Sequence, residues 1–340
     1  MLTVTLYTRE NCSLCDEVRA ELQALQEKFP HRLVTVDIDS DPSLKEKYGA
    51  LIPVVEVGPY SLKAPVTPQA LAMTLGAASD RRGQLQQVNG EEYEQRVRRG
   101  QEFSTGDRIS FWISRHYLLM INLFVLFYVG LPFLAPTLMK VGATLPARAI
   151  YALYSPLCHQ FGFRSFFLYG QQPFYPLAEA DIHDVLTFEQ ATGIQNLSDP
   201  NNVARLEARQ FVGNETVGYK VALCERDVAI YGAMLLFGLV FGLVFGLAGR
   251  RLPPLHWTLW LVLGMGPIGL DGFSQLFSQF DWSLIHTLLP YRESTPFLRV
   301  LTGALFGLST AWFAYPYVEE SMKETRQFFL KKLAVSKSSQ

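Results

Sequence analysis

The chain has 340 residues, of which 49% are hydrophobic and 18% are charged, and its formal net charge is -1. Disordered chains combine low hydrophobicity with high net charge, so this composition excludes that class. Nucleic-acid-binding proteins usually carry a basic excess, so the near-neutral balance argues against nucleic acid as a partner. The length alone predicts about two domains.

The first 76 residues alternate short apolar runs with segments of helical spacing, which predicts an α/β domain in the order β-α-β-α-β-β-α. The last helix of this domain has clear start signals, because Thr67 can cap its N-terminus and Pro68 can occupy its first position. The elements that we predict with defined bounds are strands at 2–7, 32–38 and 52–57 and helices at 16–29, 43–48 and 68–75.

The motif Cys12-Ser13-Leu14-Cys15 lies between the first strand and the first helix. A C-x-x-C motif at such a junction is typical of a redox-active dithiol. The thiolate is the reactive form of cysteine, and a helix N-terminus lowers the thiol pKa towards neutrality. We therefore expect Cys12 to be the exposed attacking sulfur and Cys15 to close the disulfide. Half of a zinc site, with His31 as the nearby further ligand, and two inert thiols are the alternatives.

Further motifs accompany this cysteine pair: Leu6-Tyr7-Thr8 before it, then Val36-Asp37-Ile38-Asp39, Tyr48-Gly49 and Ile52-Pro53-Val54. With these motifs, residues 1–76 resemble the glutaredoxin-like proteins of the thioredoxin fold. The resemblance implies that Cys12 is the nucleophile, that Cys15 is the resolving thiol, and that Pro53 is a cis proline beside the sulfur pair. After Val57 there is no Gly-Gly followed by an acidic residue, the feature that seats glutathione in glutaredoxins. We expect the partner to be a protein dithiol or a small thiol.

Residues 79–115 are polar and show no apolar core pattern, which predicts a linker. A solvated tether is the first interpretation of this segment, and a short surface helix over 93–103 is the alternative. Charge density falls sharply after the linker, since residues 1–115 contain 30 charged side chains and the remaining 225 residues contain 31.

Four stretches of 19 to 24 residues after position 115 contain no Asp, Glu, Lys or Arg. About 20 apolar residues in a helix cross the hydrocarbon core of a bilayer. The pattern predicts a membrane domain over 116–320 with four spans, at about 116–139, 228–249, 252–273 and 298–318.

The distribution of basic residues predicts the orientation of these spans. Lys and Arg residues lie before the first span, between the second and third spans, and after the fourth. Cytoplasmic segments carry the excess of basic residues, so these three places are predicted to lie inside. We therefore expect a multi-pass protein of the inner (plasma) membrane with both termini in the cytoplasm. An extracytoplasmic loop of about 140–226 and a cytoplasmic tail of 321–340 follow from this topology.

Polar residues near the ends of the predicted spans form a possible second site. Polar groups at membrane depth are costly unless they meet one another or water, so their convergence near one face indicates function. The predicted topology places these residues near the outer face: Cys158, His159, Arg164, Cys224, Arg226, Asp227, Asp271, Gln275, Arg292 and Arg299.

The same region contains five short motifs: Cys158-His159-Gln160, Arg164-Ser165-Phe166, Cys224 with Arg226 before a Gly-rich span, Asp271-Gly272 with Gln275, and Thr302-Gly303. They resemble an uncharacterised family of small predicted bacterial membrane proteins. The resemblance covers about 155–165 and 222–312 and implies a site without a known reaction. The stretch 168–221 has the character of an insertion.

Cys158 and Cys224 are the two cysteines outside the N-terminal domain. Three interpretations stay open for them. An extracytoplasmic compartment permits a structural disulfide, the pair could instead be redox-active, and with His159 the two sulfurs have the ligand types of a metal site. The assignment that we carry forward names no metal and no cofactor.

The predicted fold class is thus an α/β thioredoxin-like N-terminal domain, residues 1–78, plus an all-α four-helix transmembrane domain. The function expected is that of a membrane-anchored thiol-disulfide oxidoreductase, whose cytoplasmic C-x-x-C exchanges electrons with a protein dithiol or a small thiol. The alternative is a membrane transport or lipid-binding protein with a redox-sensing N-terminal domain.

Overall fold

The computed structural model describes residues 1–197, 203–246, 252–279 and 291–338. The chain divides into two compact units. The first comprises Met1–Tyr117 together with Glu319–Gln340, and the second comprises Leu118–Val318.

A four-stranded mixed sheet forms the centre of the first unit, with the strand order β2-β1-β3-β4. The central strand β1 runs parallel to β2 and antiparallel to β3, so that Leu6 lies opposite both Thr35 and Val55. The sheet and its helices have the thioredoxin-like fold that the sequence predicted. The elements are β1 (Leu2–Thr8), α1 (Ser13–Ala24), β2 (His31–Asp37), α2 (Pro42–Tyr48), β3 (Val54–Val57), β4 (Tyr60–Lys63) and α3 (Pro68–Gln101).

Apolar side chains cover both faces of this sheet, because successive residues of a strand point to opposite sides. On one face, Leu6 and Val55 pack with Leu22 of α1 and with Leu71 and Leu75 of α3. On the other face, the buried cluster contains Tyr7, Val36, Ile38, Leu44, Tyr48 and Val54, and Leu330 and Ala334 pack against it. Part of the predicted tail, 321–340, therefore completes the core of the first unit.

The predicted linker is mostly helical. Helix α3 starts where the sequence indicated, since the Thr67 hydroxyl accepts a hydrogen bond from the Ala70 N–H at 3.2 Å. It continues to Gln101, with non-helical backbone angles at Asn89, and helix α4 (Thr105–Lys140) begins soon afterwards. Residues such as Gln, Glu and Arg have good helix propensity, so a polar helix can continue here without an apolar stripe.

Three described helices are long and apolar enough to cross a membrane, where the sequence predicted four spans. They are α4, Glu225–Val244, and the C-terminal helix Pro296–Lys337. The second of these consists of α8 (Glu225–Phe241) and the start of a π-helical turn, Gly242–Gly246. The end of the predicted second span, 247–249, lies outside the described residues.

The third predicted span, 252–273, is helical from Trp257 but is divided. Helix α9 (Trp257–Trp260) is followed by a π-helical turn, Leu261–Met265, and then by α10 (Gly266–Ser278). Pro267 near the start of α10 lacks the N–H that a regular α-helix would use, which favours an interruption of the hydrogen-bond pattern at this point.

The second unit is mostly helical with candidate membrane helices, as the sequence predicted, and it also contains a small antiparallel sheet that the sequence did not reveal. The strands β5 (Ser165–Leu168), β6 (Gly213–Asn214) and β7 (Gly218–Cys224) are ordered β5-β7-β6. All seven residues of β7 are buried. A strand buried on both faces lacks the polar–apolar alternation that identifies strands in a sequence. The same unit contains the helices α5 (Thr144–Tyr154), α6 (Phe188–Thr192) and α7 (Ala204–Gln210). The C-terminal helix, Pro296–Lys337, is labelled α11.

Candidate functional site

The C-x-x-C pair lies at the N-terminus of α1, directly after the loop that follows β1. Cys12 and Cys15 form a disulfide with an S–S distance of 2.06 Å and a Cα–Cα distance of 5.2 Å. Cys12 is the N-cap of α1, and its sulfur accepts a hydrogen bond from the Cys15 N–H at 3.3 Å. Cys12 is partly exposed, whereas Cys15 is completely buried. A partner can therefore reach the Cys12 sulfur but not the Cys15 sulfur.

The loop before α1 and the first turn of this helix expose both uncharged and acidic residues next to the disulfide, among them Asn11, Leu14, Glu10 and Asp16. The Ile52–Pro53 peptide is cis, as the resemblance implies, and it directly precedes β3. Leu14, between the two cysteines, is 53% exposed. Arg9, in the loop before Cys12, donates to the backbone oxygen of Gly49 at 3.2 Å and so holds that loop against the end of α2.

A second group of contacts ties the C-terminal helix to the strand that follows Pro53. The hydroxyls of Tyr7 and Tyr48 each donate to Glu56 of β3 at 3.3 Å, and Lys331 of α11 donates to the same carboxylate at 2.6 Å. The two tyrosine rings stack with their centroids 4.1 Å apart. Burial, with the nearby Glu56 charge as a further cause, raises the pKa of Tyr7 above its ordinary value. These tyrosines therefore act as neutral hydrogen-bond donors.

In the second unit, Cys158, His159 and Cys224 form a compact group, here called the Cys2His cluster. One potential ligand atom from each residue lies within 4.8 Å of the other two. Cys158 follows α5, while Cys224 ends β7 and is the N-cap of α8. Both cysteines are buried free thiols. The structure therefore brings together three residues that the sequence placed in one site, with the two sulfurs unbridged.

Hydrogen bonds and charges make the two thiols of this cluster unequal. The Cys158 sulfur accepts a hydrogen bond from the Cys224 N–H at 3.3 Å. The hydrogen bond between the two thiols lowers the pKa of Cys158 and raises that of Cys224. The negative charge of Asp227 raises both pKa values. Cys158 is therefore the sulfur that loses its proton first.

The His159 ring is held by its neighbours. Its Nδ1 atom accepts a hydrogen bond from the Phe161 N–H at 3.2 Å, and the two rings stack with centroids 4.9 Å apart. Desolvation is the first cause that lowers the pKa of His159, and the positive charge of Arg164 adds to it. The imidazole is therefore neutral at physiological pH, with a lone pair on one ring nitrogen.

Most of the other predicted polar residues join a buried ion network, which has two parts. In the first, Arg164 donates to the two Glu293 oxygens at 2.7 and 2.9 Å, and Gln275 donates to Glu293 at 2.7 Å. Arg299 contacts Glu293 as well, and it donates to Glu225 at 3.2 Å. Gln279 donates to the same carboxylate at 3.5 Å, so two arginines and two glutamines share Glu293.

The second part of the network is centred on Asp271 of α10. Arg226 donates to this carboxylate, and so do Arg292 at 2.7 Å and the Ser294 hydroxyl at 2.7 Å. Asp271 lies in α10, Arg226 lies in the first turn of α8, and Arg292 and Ser294 precede α11. This part of the network therefore connects α8, α10 and the segment before α11.

The sequence identified the arginines of this network but missed two of their carboxylate partners, Glu225 and Glu293. A charge count could have found them. The predicted second site held four arginines and only two aspartates, and buried charges need partners. Asp227 does influence the thiols through its charge, so its inclusion in the predicted site has a physical basis.

Comparisons with known proteins fit this division of the chain. Residues 3–77 match the family described as Glutaredoxin-like domain (DUF836), and residues 205–313 match the family described as Predicted membrane protein (DUF2085). The chain is also 23% identical over 209 residues to an uncharacterized protein of Methanocaldococcus jannaschii. The aligned region covers 60% of this chain and 93% of that protein. No solved structure matches the chain. The chain thus carries a glutaredoxin-like domain at its N-terminus and a predicted-membrane-protein domain in its C-terminal part, as the sequence motifs indicated.

Proposed function

We propose that the protein is a membrane-anchored thiol-disulfide oxidoreductase whose active dithiol is Cys12 and Cys15. The observation that carries the proposal is the unequal exposure of the two cysteine residues at the N-terminus of α1. A dithiol oxidoreductase needs one sulfur that meets the partner and a second that is shielded until the mixed disulfide has formed. The glutaredoxin-like domain supports the same assignment.

The reaction starts from the reduced pair. The Cys12 thiolate attacks one sulfur of a partner disulfide, so a Cys12–partner disulfide forms and the partner's other sulfur leaves as a thiolate, which takes up a proton. The Cys15 thiolate then attacks the Cys12 sulfur and releases the partner's first sulfur. Two electrons have passed to the partner, and the chain holds the Cys12–Cys15 disulfide that the structure contains.

The N-cap position assists the first step. The Cys12 sulfur accepts a hydrogen bond from the Cys15 N–H, and the partial positive charge of the helix N-terminus favours the thiolate. Both effects stabilise the attacking form of Cys12 over its thiol. Cys15 has no exposed surface, so it reacts only within the chain.

The surface beside Cys12 supports a protein dithiol as the partner, with a small thiol as the second choice. Leu14 exposes an apolar side chain next to Cys12, Asn11 and Ser13 are exposed and uncharged, and the exposed Glu10 and Asp16 add negative charge that disfavours an anionic thiol. An apolar contact of this kind suits a peptide chain, whereas a small anionic thiol such as glutathione is bound mainly by polar and charged groups.

Anchoring in the inner membrane with both termini in the cytoplasm is part of the proposal. Support comes from the three apolar helices and from the Lys and Arg residues that flank them in the sequence. The buried ion network favours a structural role over transport. Each of its guanidinium groups contacts a carboxylate of the same unit, so none needs a transported anion as its partner.

The test uses the full-length protein in detergent micelles or nanodiscs, because α11 completes the core of the first unit. With dithiothreitol as electron source, the protein is expected to accelerate the reduction of insulin disulfides, and Cys12→Ser is expected to lose this activity. His183→Ala, at an exposed residue of the second unit that belongs to neither site, is the control and should retain it.

The partner can be identified with the Cys15→Ser variant, which should accumulate a mixed disulfide at Cys12. Glutathione and a protein disulfide are offered separately, and the adduct is identified by mass spectrometry. Loss of the adduct in Cys12→Ser/Cys15→Ser is the control. A wild-type protein that reduces neither substrate would refute the proposed function.

A further inference from the structure

We propose that the Cys2His cluster, formed by Cys158, His159 and Cys224, is a zinc-binding site. Two cysteine sulfurs and one imidazole nitrogen are ligand types that zinc uses in proteins. The proposal concerns the second unit alone, and it does not depend on the chemistry of Cys12 and Cys15.

The spacing of the ligand atoms is close to what zinc requires. Zinc lies about 2.3 Å from sulfur and about 2.0 Å from nitrogen, so the corners of a tetrahedral site are roughly 3.5 to 3.8 Å apart. In the structure, the three ligand atoms lie within 4.8 Å of one another. A movement of about 1 Å, within reach of side-chain rotation alone, would bring them to the bonding distances.

The three ligands come from positions that the fold holds in place. Cys224 caps α8 at the end of the buried strand β7, and Cys158 packs in the same apolar cluster as Tyr151, Tyr154 and Leu223. The Cys224 N–H donates to the Cys158 sulfur. Backbone hydrogen bonds to ligating sulfurs are typical of the outer shell of metal sites, where they orient the ligand.

Charge also favours a divalent ion in this position. Two thiolates and one neutral imidazole offset the charge of Zn2+, which matters because Cys158 and Cys224 are buried, and the negative charge of Asp227, which acts on both thiols, also favours a cation. The nearby guanidinium groups do not upset this balance, since Arg164, Arg226 and Arg299 each contact a carboxylate. Soft sulfur ligands disfavour Mg2+ and Ca2+, which prefer oxygen.

The imidazole offers one lone pair to the ion. The His159 Nδ1 atom now accepts from the Phe161 N–H, so the neutral ring carries its proton on Nε2. Zinc at Nδ1 would replace this hydrogen bond by a metal–nitrogen bond, and zinc at Nε2 would require the ring proton to leave that nitrogen. The stacked Phe161 ring would still hold the imidazole in the same plane.

Within the part of the chain that the structure describes, the cluster supplies three protein ligands, so the fourth corner of a tetrahedral site would be taken by water or by a further ligand. Such an open position distinguishes catalytic zinc sites from structural ones, which are closed by four protein ligands.

The experiment measures zinc in the full-length protein, purified without a histidine tag in detergent. All proteins carry Cys12→Ser and Cys15→Ser, so that the first cysteine pair cannot contribute metal. After incubation with zinc sulfate and desalting, elemental analysis should find one zinc per chain. Cys158→Ser and Cys224→Ser should each lower the zinc content at least tenfold, while His183→Ala, which removes an exposed histidine of the same unit, should leave it unchanged.

Two further measurements keep the proposal testable if a cysteine variant folds poorly. Cobalt in place of zinc should give sulfur-to-cobalt charge-transfer absorption, which His159→Ala should shift because it changes the ligand set. Zinc should also protect Cys158 and Cys224 from alkylation in the otherwise unaltered chain, and a chelator should restore labelling. Absence of zinc above background, a Cys158–Cys224 disulfide in the purified protein, or a cobalt spectrum that is insensitive to His159→Ala would overturn the proposal.

Discussion

Replacement of Glu293 by glutamine tests the energetic importance of the buried ion network. The Glu293 side chain is 1% exposed and accepts hydrogen bonds from Arg164 and Gln275, while Arg299 contacts it from a position that is 3% exposed. Glu293→Gln keeps the shape of the side chain but removes the negative charge. It also turns an amide NH2 group towards one of the two guanidinium groups.

The expected loss follows from the partners that remain. Removing one member of a buried ion pair costs about 3 to 5 kcal/mol, because the other charge stays buried without compensation. Arg299 would keep Glu225 at 3.2 Å, and Arg164 is 17% exposed, so water can compensate part of its charge. We therefore expect a destabilisation near the lower limit, about 3 kcal/mol.

The measurement is reversible unfolding of the full-length protein in mixed micelles as the fraction of denaturing detergent rises. Glu215→Gln is the matched control, since Glu215 pairs with Lys140 at 2.6 Å but its side chain is 72% exposed. We expect no measurable change in the control, because exposed ion pairs contribute little. Equal unfolding transitions for Glu293→Gln and Glu215→Gln would refute the reasoning.

Three further predictions concern packing and charge. Gly307→Ala would place a methyl group 2.2 Å from a backbone oxygen of α8, so we expect a destabilisation of about 1 to 3 kcal/mol in the same unfolding assay. Gly232→Ala is the control, because its methyl group meets open space and should not change the stability. Burial lowers the pKa of Lys220 to about 7, so between pH 7 and the usual lysine pKa of about 10.4 the unfolded chain binds more protons than the folded chain. The free energy of unfolding should therefore rise with pH in that window, by up to about 1.4 kcal/mol per pH unit. A Lys220→Met variant that keeps this slope would contradict the assignment. Leu330→Ala removes part of the core of the first unit and should lower its stability by about 1 to 2 kcal/mol in thermal unfolding, while Phe328→Ala, at a side chain 61% exposed, should not.

The sequence predicted the first unit well because its signals are local. A strand, a C-x-x-C motif and a helix follow one another within 24 residues, and each has its own spacing pattern. Thr67 and Pro68 mark the start of α3 in the same local way. Such signals depend on neighbours along the chain, so they can be read without knowledge of the packing.

The contribution of the C-terminal helix to that unit could not be predicted in this way. Lys331 and Glu56, which form one of its ion pairs, are separated by 275 positions in the sequence. Leu330 and Ala334 are four residues apart on one face of α11, a spacing that predicts an apolar stripe but does not identify the surface that covers it. The same limit explains why the arginine partners were missed, since Arg164 and Glu293 are 129 positions apart.

The three interpretations of Cys158 and Cys224 differ in geometry by distances that no sequence pattern encodes. A disulfide requires sulfurs about 2.05 Å apart, whereas two thiolates on one zinc are roughly 3.8 Å apart. Either arrangement is consistent with two cysteines at the ends of α5 and β7. The ring of His159 distinguishes the metal site from the structural disulfide, because an imidazole within 4.8 Å of both sulfurs fits the proposed zinc site and is not needed by a disulfide. The His159→Ala variant therefore decides between them more directly than either cysteine variant, since it leaves both sulfurs free to form a disulfide and removes only the nitrogen ligand.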